Sequence, residues 1–276
     1  MTLAIVSADE RMREPRGLSI VLVGPSGVGK TSQVKTLDMA RTLVIDADRG
    51  SLPLLGSVVD IARPTGWIEA ADLFALIGGP NRSLPPTAAY SEAHFQKIDR
   101  RLDVSRYKTF VVDSITQIGR DSFAHAEQLP EAYARSGGKD TRAAYGIHAR
   151  QMINGLQQIQ RGAPNKVIVL TAVLERVTDD LNRSEWRIQL EGEKTARELP
   201  AIVDQIIAYH WINLNDGKPP SRAFVCTSPN VWGFPAKDRS GKLDQVEPPD
   251  LGALIRKILG QRESGIVSPA AAVAAS

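Results

Sequence analysis

Short continuous apolar runs alternate with stretches of helical period through most of the chain. The runs predict strands over residues 18–24, 42–48, 107–114, 166–173, 203–214 and 222–227. The first four are rich in Val and Ile without polar alternation, as strands covered on both faces of a parallel sheet are. Helices are expected over 30–41, 91–102 and 141–161, and in the last Ile147, Met152, Ile153, Leu156 and Ile159 fall on one stripe. Strand–helix alternation of this kind predicts an α/β fold with a mainly parallel central sheet flanked by helices. The last two runs are separated by little more than Gly217–Lys218–Pro219–Pro220–Ser221, which predicts an antiparallel extension at the C-terminal edge. The expected layout is an N-terminal arm over 1–16, one domain over 17–260 and a disordered tail over 261–276.

Composition narrows this reading only a little. With 276 residues, 42% of them hydrophobic, the chain is long enough for one substantial core. Its 34 basic and 31 acidic side chains leave a formal charge of +3, which neither demands nor excludes a nucleic-acid partner. The single cysteine, Cys226, sits in an apolar run and is expected to be a small core residue; with no intramolecular disulfide possible, a cytoplasmic setting is expected. The N-terminus has too short an apolar run for a signal peptide, and no run reaches the ~20 apolar residues of a membrane-spanning helix. His94, His125, His148 and His210 show no metal-ligand spacing, with each other or with Cys226.

The candidate chemistry starts where the first strand ends. Gly24, Pro25, Ser26, Gly27, Val28, Gly29, Lys30, Thr31 and Ser32 complete a G-x-x-x-x-G-K-[ST] loop between a strand and a helical stretch. Its glycines let successive backbone N–H groups turn toward phosphate oxygens. Lys30 is then expected to reach the β- and γ-phosphates, and Thr31 to offer its hydroxyl to Mg²⁺. A guanine-reading N-K-x-D is absent, because Val167 and Ile168 follow the one Asn–Lys pair. Phe110–Val111–Val112–Asp113 has the form of a Walker B strand, so Asp113 is the expected second metal residue. Ser114 follows it, where many ATPases of the AAA+ type carry the water-activating Glu; the base must come from elsewhere. Asp46 and Asp48, at the end of the second strand, are the two candidates.

At these residues the sequence resembles RecA and its relatives. The match lies in Val44–Ile45–Asp46–Ala47–Asp48, in the V-V-D-S of Val111–Ser114, and in the fourth strand ending Val169–Leu170–Thr171–Ala172. The resemblance implies a RecA-like P-loop core, with Asp48 polarising the attacking water and Thr171 sensing the γ-phosphate. Ala172 stands where RecA itself carries Gln. Ala236–Lys237–Asp238–Arg239–Ser240–Gly241 is similar to the A-K-x-R-x-G of DnaB-type helicases and to the lysine pair of RecA. It implies that Lys237 and Arg239 reach a neighbouring subunit's γ-phosphate. Gly192–Glu193–Lys194, Leu199–Pro200 and Asp204 resemble a stretch of the phage-encoded RecA-like ATPases of single-strand annealing and recombination. That group implies ATP and Mg²⁺ as cofactors, single-stranded DNA as partner and self-association into a ring or filament. It also implies a single-strand-binding protein as a further partner, no membrane, and the bacterial host cytoplasm as location. The segments 129–140 and 177–194 fall where such proteins meet DNA, with Arg183, Trp186 and Arg187 as the expected contacts. A hexameric DnaB-like helicase motor and an ATP-dependent switch or scaffold with a protein client are the alternatives.

Overall fold

The computed structural model describes residues 5–14, 17–98, 102–161, 164–214, 217 and 219–260. The expected tail over 261–276 lies outside them. Ten strands of one sheet are present among the described residues. In chain order they are β1 (Leu18–Gly24), β2 (Thr42–Asp46), β3 (Asp60–Ala62), β4 (Thr109–Asp113), β5 (Val167–Thr178), β6 (Ser184–Gln189), β7 (Gln205–Ile212), β8 (Ser221–Val225), β9 (Lys237–Asp238) and β10 (Val246–Glu247). Their order across the sheet is β10-β8-β7-β1-β5-β4-β2-β3, with β6 on β5 and β9 on β7. Strands β3, β2, β4, β5, β1 and β7 are parallel; β6, β8, β9 and β10 pair antiparallel. This is the mainly parallel sheet with an antiparallel edge that the apolar runs predict. β3, β6, β9 and β10 are additions those runs did not reveal: β3, β9 and β10 are only two or three residues long, and Ser184–Gln189 of β6 alternates polar with apolar and is exposed for much of its length.

The helices are α1 (Ala8–Arg13), α2 (Trp67–Gly78), α3 (Glu92–Lys97), α4 (Ile115–Ala126), α5 (Thr141–Arg161), α6 (Glu193–Ile202) and α7 (Leu251–Leu259). They cover both faces of the sheet, and β1 shows how period 2 divides the core between them. Val21 and Val23 point into the layer of Phe74, Ile77, Met152 and Leu156, from α2 and α5; Ile20 and Leu22 point into the layer of Val28, Val34, Leu254 and Ile258. Within the expected arm, Ser7 caps the short helix α1 and forms a capping box with Glu10.

One element departs from expectation. Residues 30–41 do not form an α-helix but two 3₁₀ segments, Thr31–Thr36 and Met39–Arg41. Thr36 donates its hydroxyl back to Gln33 O at 2.7 Å, a local bond that competes with helix propagation. The start of α7 seals the break: Gly252 N donates to Thr36 Oγ1 at 3.0 Å, and Leu251 N to Gln33 Oε1 at 3.1 Å. α7 can press this close because residue 252 is glycine; a Cβ there would stand 2.1 Å from Thr36 O. Helix α3 covers only the first half of the expected 91–102, and 99–101 lie outside the described residues.

Candidate active site

The carboxyl ends of the parallel strands gather the sequence-predicted residues at one edge of the sheet, the usual place for ligands in open α/β folds. Register does this directly. Leu22 is level with Thr171, Val23 with Ala208, and Asp46 with Asp113. The loop of residues 24–31 leaves β1 between them. Gly27 and Gly29 have φ of +78° and +103°, which a side chain would strain. Gly24 is required for a different reason: a Cβ would sit 2.4 Å from Tyr209 O on the adjacent strand.

Lys30 curls over the loop and donates from Nζ to Gly24 O at 2.8 Å and Pro25 O at 3.0 Å. Burial lowers its pKa, against the attraction of Asp113 and then Asp48. Thr31 Oγ1 donates to Asp113 Oδ2 at 2.6 Å, and the Thr171 hydroxyl donates to Oδ1 of the same carboxylate. Asp113 is buried, and desolvation raises its pKa; the two threonine bonds and Lys30 oppose that, while Asp48 adds to it. Asp48 therefore shares an electrostatic neighbourhood with both Lys30 and Asp113. Asp46 is differently placed. It is buried, with Oδ1 accepting from Gly50 N at 2.8 Å and Oδ2 from Arg63 Nε at 3.3 Å, so its carboxylate holds the turn after β2. Asp48 stands exposed within that turn. Ser114, in the position of the AAA+ glutamate, caps α4 by accepting from Gln117 N at 3.3 Å.

The pair of hydroxyl and carboxylate oxygens on Thr31 and Asp113 fits Mg²⁺. Both are hard oxygen donors, they already lie in hydrogen-bonding contact, and a cation between them would offset the cost of the buried charge. Thr31 and Asp113 are the residues that would hold it.

The other expected residues lie elsewhere. Lys237 Nζ donates to Pro200 O at 2.6 Å and Val203 O at 2.8 Å, a cation on the C-terminal carbonyls of α6. Arg239 pairs with Asp204 at 3.0 Å and is half-exposed. Both sit level with the start of β7, at the opposite edge of the sheet from their own phosphate loop. In the β5–β6 hairpin, Arg183 pairs with Asp179 at 3.1 Å and Arg187 bonds Glu185. Trp186 is half-buried against His210 and Phe234, with ring centroids 5.4 and 5.3 Å away. The two arginines are thus balanced by carboxylates and the indole packs inward.

Sequence reasoning missed three residues beside the loop. Gln33 joins it to Tyr209, from Nε2 to the phenol oxygen at 3.2 Å, and Arg222 Nη1 donates to Val28 O at 3.2 Å. Tyr209 and Arg222 come from strands far along the chain, and only the sheet order brings them to the loop. Cys226 is buried, and burial raises its thiol pKa.

A family model described as an AAA domain matches residues 16–240. No curated protein is a match. Among solved structures, a KaiC-like protein from the hyperthermophilic archaeon Pyrococcus horikoshii OT3 is similar over 77% of this chain and 79% of its own, at 12% identity and a TM-score of 0.38.

Proposed function

We propose that this chain, which belongs to the AAA domain family, is a RecA-like P-loop ATPase in which residues 24–31 bind the phosphates of ATP and Asp48 orients the water that attacks them. The observation that carries this reading is the chain Thr31–Asp113–Thr171, which ties the loop to the ends of β4 and β5 through one buried carboxylate. Lys30, freed from the carbonyls of Gly24 and Pro25, supplies the cation for the β- and γ-phosphates. Thr31 and Asp113 would hold Mg²⁺, which when bound would supply positive charge to the same phosphates. Asp48 is the acid we propose to accept a proton from water: Asp46 is committed to Gly50 and Arg63, while Asp48 acts electrostatically on both Lys30 and Asp113. The test is phosphate release from ATP by purified protein with and without Mg²⁺. Lys30→Ala should abolish turnover with an unchanged melting temperature, and wild-type turnover by that variant would overturn the assignment.

The client proposed from the resemblance is single-stranded DNA, in phage recombination or annealing, with subunits assembled in a ring or filament. One feature favours an output through the β5–β6 hairpin: β5 is a single strand from Val167 to Thr178, with Thr171 on Asp113 and Arg176 near the hairpin end. ATP turnover measured with and without single-stranded DNA tests it; equal rates would point to a protein client. Among the described residues no helix is long and apolar enough to cross a membrane.

A further inference from the structure

β7 and β8 run past the phosphate loop. Val23, next to the loop, is level with Ala208, so Tyr209 through Ile212 lie at and beyond it. Tyr209 belongs to the same apolar layer as Val28 and Val34, and Trp211, two residues on, shares that face. Trp211 is level with Arg222 across the hairpin, and the guanidinium carbon lies 5.5 Å from the indole centroid. The same guanidinium holds Val28 O at 3.2 Å, and a Cβ at Gly29 would come within 3.0 Å of its Nη1. Yet Trp211 is 55% exposed. A large aromatic face is therefore kept in solvent beside the loop by an arginine anchored on the loop itself.

The site also has a direction. Asp113 and Thr171 lie on β4 and β5, on one side of β1, whereas Trp211 and Arg222 lie on β7 and β8, on the other. A nucleotide carries its terminal phosphate and its base at opposite ends. With the terminal phosphate over β4 and β5, the nucleoside leaves the loop over β7 and β8. The geometry points to Trp211 and Arg222 as the platform on which the base of the bound nucleotide stacks. An indole and a planar guanidinium both offer a flat face to a purine ring. The inference rests on residues 24–31 holding the phosphates.

Calorimetry with two ligands, ATP and inorganic tripolyphosphate, tests the two readings separately, since tripolyphosphate has no base. Trp211→Ala should weaken ATP about five- to a hundredfold, the usual weight of one stacked base, and leave tripolyphosphate binding unchanged. Trp211→Phe should keep most of the ATP affinity. Arg222→Ala should weaken both ligands, because it also releases Val28. If the alanine variant does not fold, Trp211→Leu keeps the apolar bulk without a π face and should reproduce its effect. Unchanged ATP affinity in Trp211→Ala, or equal loss for both ligands, would overturn the platform. Wild-type protein that binds neither ligand would overturn the phosphate loop and the platform together.

Discussion

Asp113 is a buried carboxylate supported by two threonine hydroxyls and a nearby lysine. Its pKa is raised by burial above 3.8. A carboxyl with a raised folded pKa favours the fold below its unfolded value and loses that contribution as the pH rises through the folded one. At neutral pH the charge is thus a net cost. Asp113→Asn keeps the shape, and its amide can accept from one threonine and donate to the other. The variant should gain about 1 kcal/mol, or roughly 2–4 °C in melting temperature without nucleotide, while ATP turnover disappears. The gain should shrink as the pH falls toward 3.8, which thermal melts across the acid range would show. The two acids after β2 separate in the same way. Asp48→Asn should lower kcat while ATP affinity stays, whereas Asp46→Asn should lower the melting temperature by loosening Gly50 and Arg63. Sequence alone left these two open, because they stand two positions apart in one apolar run. Only the hydrogen bonds of Asp46 show which is committed to the turn.

Buried parallel strands were the most legible elements, since a strand covered on both faces has no polar alternation to confuse with helix; Leu18–Gly24 is one such case. Helices α1, α2, α4, α6 and α7 were passed over, although Ser114 and Asp250 cap α4 and α7 at their starts. The 3₁₀ segment after Lys30 was hard to read from the sequence, because the local Thr36–Gln33 bond that interrupts it is sealed by the distant Leu251 and Gly252. Gly252→Ala puts a methyl against the backbone of Thr36 and should cost about 1–3 kcal/mol. ATP affinity should drop with it, as that segment begins at Thr31. Denaturant melts paired with ATP titration check both; an unchanged midpoint would mean that α7 does not brace the loop.

Across the whole molecule, the strand order sorts the residues by side. The acids stand to one side of β1 and Tyr209, Trp211 and Arg222 to the other. Lys237 and Arg239 sit at the far edge, so any role at a γ-phosphate must be played in a neighbouring subunit. Arg239→Ala alone should bind ATP normally but turn it over poorly. Mixed with Lys30→Ala, it should recover activity that rises with protein concentration, because an intact loop can then face an intact arginine. Losing such an arginine costs ~10³–10⁵ in rate, so recovery would stand well above two inactive parents. A mixture as inactive as its parents, under conditions where both assemble, would show that the arginine plays no part at a γ-phosphate. Arg239 is half-exposed in its pair with Asp204, so leaving it costs well under ~1 kcal/mol. β5 sets a further condition on any such assembly. From Thr171 to Thr178 the strand spans about 23 Å at ~3.3 Å per residue, with no hinge between the end at Asp113 and the end at the hairpin. A jointless rod has a mechanical gain of one. A displacement that a γ-phosphate imposed along β5 at Thr171 would arrive at the hairpin no larger, so in a ring or filament of such subunits a large stroke would have to be summed over several of them.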